Sequence, residues 1–421
     1  MFNSTRTTRL VKVAAVAAAV GSIAAIGFAG NSPAQADPKQ YTDPIFGFGS
    51  DTLQDVSNAF AGFSNGVNYT PLQTSGSTGT RQIVSWDAFA PGADPTVVNC
   101  ITTKTGAPQI QRPNGSSNGV RALSAAFNVG QRWPAAAGVC GATRPMSGLI
   151  DFARSSASVA TTSGPLVYIP FGRDALSFAY IKPTTVLGGP VTAITSAELS
   201  ALHATGPQLI GGVPVIACGI QTGSGTYSSW MTALGLATNG TGDPGTNACN
   251  NAGVAPFTGR IQENNGPDLT GKSASLAAMT SDICDGVAGG SPVSCANAQL
   301  IVGFSASQFI ARSNGVGIPN PLLAGATAGL GAVNGQAAVQ GTIPALTPVS
   351  AGYASSTFGR DVTFVLAAAS IEGPDALPHL QNMFVGSSSK VCAATATIES
   401  HGFLALGAGC GSVTQRSAFR S

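Results

Sequence analysis

Three clusters of Gly, Ser and Thr each sit just before a helix-like run. They are Gly49-Ser50-Asp51-Thr52, Ser75-Gly76-Ser77-Thr78-Gly79 and Thr222-Gly223-Ser224-Gly225-Thr226. Such a cluster offers backbone N–H groups, a hydroxyl and the positive end of a helix dipole, which together cradle an anion. One cluster alone is equally an ordinary helix cap, since Ser, Thr and Gly are common there. Three in one chain point to oxyanion capture.

Other chemistries have less behind them. Gly62-Phe63-Ser64-Asn65-Gly66 matches a nucleophile pattern that needs a strand before the Ser and a helix after it. Here a helix pattern precedes it and the strand-like "VNY" follows, so the context is reversed. His203, His379 and His401 are scattered, and only His401 has an acid nearby, Glu399. No Cys-x-x-Cys and no phosphate-loop Lys motif occurs, so a metal centre, a thiol redox centre and nucleotide hydrolysis lack support. The expectation is a binding protein without catalytic residues, metal or cofactor.

The elements that must position these clusters alternate. "GVNYTPLQ" (66–73), "LVYIPFG" (166–172), "ALSFAYI" (175–181), "VPVIACGI" (213–220), "QLIVGFS" (299–305) and "DVTFVLAAA" (361–369) read as strands. "DTLQDVSNAFAGF" (51–63), "GTRQIVSWDAF" (79–89), "TSAELSALHA" (195–204), "TYSSWMTALGL" (226–236) and "GPDALPHLQNMFV" (373–385) read as helices. This alternation predicts an α/β fold. Stretches around 90–119, 237–272 and 313–350 read as long loops.

The 421 residues are 43% hydrophobic and only 9% charged, with 54 Gly and 26 Pro. The low charge excludes a coiled coil, and the absence of a Gly-X-Y period excludes a collagen. Residues 1–36 read as an export signal. Arg6, Arg9 and Lys12 precede an apolar run from Val13 to Ala29, and Ala34-Gln35-Ala36 supplies a small-x-small cleavage pattern. Cleavage after Ala36 removes three basic residues and no acidic one, so the formal net charge of +2 becomes −1. Nucleic acid is not an expected partner. Secretion makes four disulfides the simplest use of the eight cysteines. Sequence leaves the pairing open; the local pairs are Cys100–Cys140, Cys218–Cys249, Cys284–Cys295 and Cys392–Cys410.

Five segments in order resemble the phosphate-binding proteins of ABC importers, of the type II periplasmic-binding-protein superfamily. They are "GSDTLQDVSNAFAGF" (49–63), "VNYTPLQTSGSTGTRQI" (67–83), "IDFARSSAS" (150–158), "IQTGSGTYSSWMTALG" (220–235) and "LIVGFSASQFIARSN" (300–314). The resemblance implies two α/β lobes with a ligand cleft between them. Lobe one would comprise 37–172 and 305–421, and lobe two 173–304. It implies a secreted, monomeric solute-binding protein that passes an oxyanion to an ABC permease. Contacts carried over by motif are Ser224, Gly225 and Thr226, with Ser75 or Ser77 from the second loop and Ser50, Asp51 and Thr52 from the first. Ser156 stands where the family has an acceptor Asp, and Ile220 where it has an Arg. Arg154 or Arg173 would then supply the cation, and Asp51 or Asp174 the acceptor. The alternative is an extracellular binding or surface-interaction protein on the same scaffold, with an altered ligand site.

Overall fold

The computed structural model describes residues 43–76, 79–88, 99–134, 137–138, 140–157, 159, 161–221, 223–237, 261, 276–317 and 327–421. The expected leader (1–36), Ser77 and Cys249 lie outside these residues.

One mixed sheet organises the chain. Its principal strands are β1 (Ile45–Gly49), β2 (Gln73–Gly76), β3 (Gly79–Ser85), β4 (Phe152–Ser155), β5 (Leu166–Ile181), β6 (Gln208–Ile210), β7 (Val213–Cys218), β8 (Gln299–Ser305) and β9 (Gly359–Ala367). They lie in the order β6-β7-β8-β5-β9-β4-β1-β3-β2. Pairs β1–β3, β1–β4 and β7–β8 are parallel, while β5 runs antiparallel to both β8 and β9. The helices used below are α1 (Gln54–Phe60), α2 (Gly115–Phe127), α3 (Ser196–Thr205), α4 (Gly225–Ala233) and α5 (Ala306–Ser313). The α/β architecture expected from the alternation of elements is therefore present.

Two regions of core flank the middle of β5. On one side, alternate residues of the strands serve opposite faces, as the two-residue period of a strand requires. Ile45, Phe152, Phe171 and Phe364 pack on one face, and Phe46, Phe48, Ala153 and Val365 on the other. Phe171 stacks on Phe364 with ring centroids 4.6 Å apart. On the other side, Phe178, Ile216, Trp230 and Ile301 form a separate core. That core continues through Phe309, Ile310, Val333 and Leu346. These four residues come from beyond Phe304, where the sequence places a crossing, and they pack with this core. α5 follows β8 directly, and its Phe309 and Ile310 cover the same apolar layer.

Several expectations are corrected. "LVYIPFG" and "ALSFAYI" are one 16-residue strand, because Arg173 and Asp174 between them continue the ladder with β9. "GTRQIVSWDAF" is not a helix: Gly79–Ser85 is β3, whose Ile83 and Val84 pair with β1. β-branched Thr80, Ile83 and Val84 suit that half-buried strand. The helix that packs here is α2, from within the stretch assigned to a long loop. Among the described residues no helix is long and apolar enough to cross a membrane. Disulfides join Cys100–Cys140, Cys284–Cys295 and Cys392–Cys410. Cys218 is also disulfide-bonded.

Candidate functional site

Three hydroxyls from lobe one meet in a buried cluster. β1 and β4 end side by side, with Gly49 opposite Arg154. The chains then turn outward, and the Ser50 N–H donates to the Arg154 carbonyl at 3.0 Å. Ser50 and Ser156, just past those ends, bring their hydroxyls to 2.9 Å, Ser50 donating. The third, Ser116, belongs to the first turn of α2. Its Oγ accepts the Ser156 N–H at 3.1 Å and lies 3.4 Å from Ser156 Oγ. α2 comes this close because Gly119 packs directly on β1, where a Cβ would lie 2.7 Å from the Gly49 Cα.

Lobe two closes over this cluster with the N-terminus of α4. The Ser224 hydroxyl caps that helix, accepting the N–H groups of Thr226 at 3.0 Å and Tyr227 at 3.3 Å. Gly225 fills the space above Ser116 and Ser156: a Cβ there would lie 2.5 Å from each hydroxyl oxygen. Thr226 Oγ1 is 3.0 Å from Thr52 Oγ1 of lobe one. Further bonds cross between the lobes, from Ser117 N–H to the Gly223 carbonyl at 3.1 Å, from the Ser229 hydroxyl to the Ser156 carbonyl at 3.4 Å and from the Gln221 amide to Asp51 Oδ2.

The cation at this seam is Arg360, at the start of β9. Its Nη2 donates to Thr226 Oγ1 at 2.8 Å and its Nη1 to the Ser156 carbonyl at 2.9 Å. Nε and Nη2 also hold Asp174 Oδ2 at 3.1 and 2.8 Å, and both side chains are buried. Asp174 Oδ1 in turn accepts from the Ser305 hydroxyl and the N–H groups of Ser307 and Ala175, at 3.0, 3.1 and 2.8 Å. One carboxylate thereby fixes the guanidinium between the lobes, where it also holds the Ser156 carbonyl and the Thr226 hydroxyl.

Of the residues expected at the site, Ser50, Thr52, Ser156, Ser224, Gly225 and Thr226 are brought together. Ser75 is not among them. It is exposed on β2, paired with Thr80 in an edge hairpin. Its place is taken by Ser116, in "NGSSNG" (114–119), which shows the same Gly/Ser-before-helix pattern and was missed because 90–119 was assigned to a loop. Arg173 is committed elsewhere, to Asp361 at 2.8 Å and to the carbonyls of Tyr353 and Ser355. Arg154 is wholly buried, and its hydrogen bonds go to the Ser85 hydroxyl and the Gly49 carbonyl. Burial lowers its pKa to about 10, opposed by the charges of Asp87, Asp51 and Asp55, so it stays cationic beneath the site. Arg360 had no signal beyond an Arg opening the strand-like "DVTFVL".

The histidines have structural partners. The His203 Nε2 accepts the Trp230 indole N–H at 3.0 Å, and His401 Nδ1 lies 2.8 Å from the Thr397 carbonyl. His379 Nε2 lies 2.9 Å from Arg81 Nη1. Ser64 is in a short hairpin with Val67, confirming the reversed context of its motif.

No family model and no curated protein matches the chain. Solved structures are similar in outline. An ABC-type phosphate transport receptor from Vibrio cholerae is 11% identical, with 86% of this chain and 99% of that chain covered and a TM-score of 0.41. A putative phosphate ABC transporter substrate-binding protein with bound phosphate, from Clostridium perfringens, is 12% identical over 62% of this chain and 81% of its own, with a TM-score of 0.33. A possible phosphate binding protein from Planctomyces limnophilus is 11% identical over 87% and 94%, at 0.35. At scores this low, none bears on what the site holds.

Proposed function

We propose that this chain is a secreted, monomeric solute-binding protein that captures phosphate or a related oxyanion between its lobes and passes it to an ABC permease. The observation that carries this reading is the convergence of Ser50, Ser116 and Ser156 from lobe one on the N-terminus of α4 and Arg360. As the lobes part, Gly225 withdraws from Ser116 and Ser156, and Ser117 N–H loses the Gly223 carbonyl. An anion then enters where the Gly225 backbone had been. It accepts from the three hydroxyls and from first-turn N–H groups of α2, whose dipole favours negative charge. Reclosure adds the α4 N-terminus and the Thr226 hydroxyl, oriented by Arg360. Hydrogen bonds to a charged group contribute about 1.5–3 kcal/mol each, so four or five suffice for micromolar capture after desolvation and ordering are offset. No bond of the anion is made or broken, and the proposed role is not enzymatic.

The seam favours one second reading. Its hydroxyls bond each other across the lobes, Thr52 to Thr226 among them. A scaffold held shut this way would serve as an extracellular binding or surface-interaction protein. Equilibrium dialysis of radiolabelled phosphate against the secreted protein separates the two. Capture predicts retention by the wild type and loss in Thr226→Val; a folded wild type that retains none selects the second reading.

A further inference from the structure

We propose that lobe one carries a second binding site, a preformed cationic pocket beside α2 that takes a small hydroxylated organic anion bearing a carboxylate or a phosphate ester. The pocket is distinct from the interlobe cluster, and the inference does not depend on oxyanion capture there.

The charge is concentrated in the sequence itself. The chain holds 20 Lys and Arg against 18 Asp and Glu, yet no acidic residue occurs from Pro95 to Ile150 or after Glu399. The first stretch carries Lys104 and four arginines, and the second carries Arg416 and Arg420.

The fold brings these stretches together. The Arg420 N–H donates to Ser124 Oγ of α2 at 3.0 Å, and the Gln131 amide donates to the Arg420 carbonyl. At this corner lies a cavity of about 560 Å³, lined by Gln111, Asn118, Arg121, Gln131, Arg132 and Thr143, with Trp133 in its wall. Asn118 and Arg121 share one face of α2, being three residues apart. The wall is held in place by its own bonds. Trp133 and Arg144 exchange both backbone hydrogen bonds, at 2.9 and 3.1 Å, and the Trp133 indole N–H donates to the Gln111 carbonyl at 2.8 Å. Cys100, opposite Gln111 in a short hairpin, is joined by a disulfide to Cys140.

The two guanidinium groups in the lining have no carboxylate partner. Elsewhere Arg81, Arg173 and Arg416 each hold one, on Asp43, Asp361 and Glu372. Among the described residues the Arg121 side chain makes no hydrogen bond or ion pair, and that of Arg132 reaches only the Thr143 carbonyl at 3.3 Å. Ser421 also lines the cavity and pairs with neither. Guanidinium forks bind carboxylate and phosphate through paired N–H groups. The Gln111 and Asn118 carboxamides offer both donors and acceptors, which suits the hydroxyls of an organic ligand. The volume exceeds what a bare inorganic anion fills and lies in the range of small-molecule pockets, about 300–1,000 Å³.

Calorimetric titration of the full secreted protein tests this, in about 0.15 M salt so that distant surface charges are screened. The probes are citrate, glucose 6-phosphate and, as the uncharged control, glucose. At least one of the two anions is expected to bind with a submillimolar Kd, and glucose is not. Arg121→Gln combined with Arg132→Gln changes two exposed residues and should weaken that binding at least tenfold. Ser156→Ala, in the interlobe cluster, should leave it within twofold. Binding of citrate alone assigns the ligand a carboxylate, and binding of glucose 6-phosphate alone assigns it a phosphate ester; either supports the site. Failure of both anions to bind the folded wild type overturns the proposal, as does equal binding of glucose. Binding that survives the double arginine variant, or that falls with Ser156→Ala, also overturns it.

Discussion

Gly225 of lobe two lies over Ser156 of lobe one so closely that a Cβ at position 225 would stand 2.5 Å from the Ser156 hydroxyl. The same Cβ would stand 2.5 Å from the Ser116 hydroxyl and 2.7 Å from the Ala157 nitrogen. Closure of the lobes therefore depends on a missing side chain at the first position of α4.

Gly225→Ala is expected to hold the lobes apart. Within α4 alone, Ala is favoured over Gly by up to about 1 kcal/mol, so the variant should remain folded. Its phosphate affinity should fall at least a hundredfold, and its radius of gyration by small-angle scattering should exceed that of the wild type. A variant with wild-type affinity and radius would show that the seam does not close on the ligand.

Thr226→Val keeps the shape of the side chain and removes the oxygen that Thr52 and Arg360 share. Stability should drop by about 1–3 kcal/mol, the usual effect of leaving buried donors unpaired. Urea denaturation measures this, and titration should show phosphate affinity lower by tenfold or more.

Removing one member of the Arg360–Asp174 pair should be severe. Arg360→Met leaves a buried carboxylate uncompensated, at about 3–5 kcal/mol. Combining it with Asp174→Leu removes the stranded charge. The double variant should be more stable than Arg360→Met alone in urea, yet should not bind phosphate.

Asp151 makes stability fall as pH rises. Burial, opposed by the Phe46 N–H and by Arg81 and Lys104, lifts its pKa from 3.8 to about 6. A carboxyl with a raised folded pKa favours the fold fully below pH 3.8 and loses that contribution as pH passes through about 6. The residue keeps some solvent access, so the loss is about 1–2 kcal/mol rather than the full value of the shift. Asp151→Asn can still accept the Phe46 N–H, 3.1 Å away in the wild type. It should be the more stable protein at pH 8 by thermal melting, with the difference shrinking towards pH 4.

The C-terminal region is stapled by Cys392–Cys410, which closes a loop of 18 residues. Replacing both with Ser should lower stability by about 3 kcal/mol on the chain-entropy account. The urea midpoint of the oxidised double variant checks this.

Much of the site was legible because its chemistry is local. Ser224-Gly225-Thr226 announces a capped helix, whereas Ser50 and Ser156 stand just past the ends of β1 and β4, two short strands that the hydrophobic pattern did not pick out. Ser116 carried the same local signal, but Gly- and Asn-rich sequence around it masked an Ala- and Leu-containing helix. Arg360 was not legible, since its role arises from pairing across β5 and β9, which are far apart in sequence. The same non-local pairing explains Arg173, whose partner Asp361 is 188 residues away. β3 went astray because "RQIVSW" has apolar residues that suit either period, and only its place beside β1 decides. The long strands β5, β7, β8 and β9 followed from composition; β1, β3, β4 and β6, and the residues that register brings together, did not.

The central claim is that the hydroxyl cluster under Gly225 holds an oxyanion. Calorimetric titration of phosphate-stripped protein, residues 37–421, with phosphate tests it most directly, with Ser156→Ala run beside the wild type. The account predicts a single site of micromolar or tighter affinity in the wild type, weakened at least tenfold in Ser156→Ala. No heat from a wild type shown to be folded, or equal affinity in the two proteins, would contradict it.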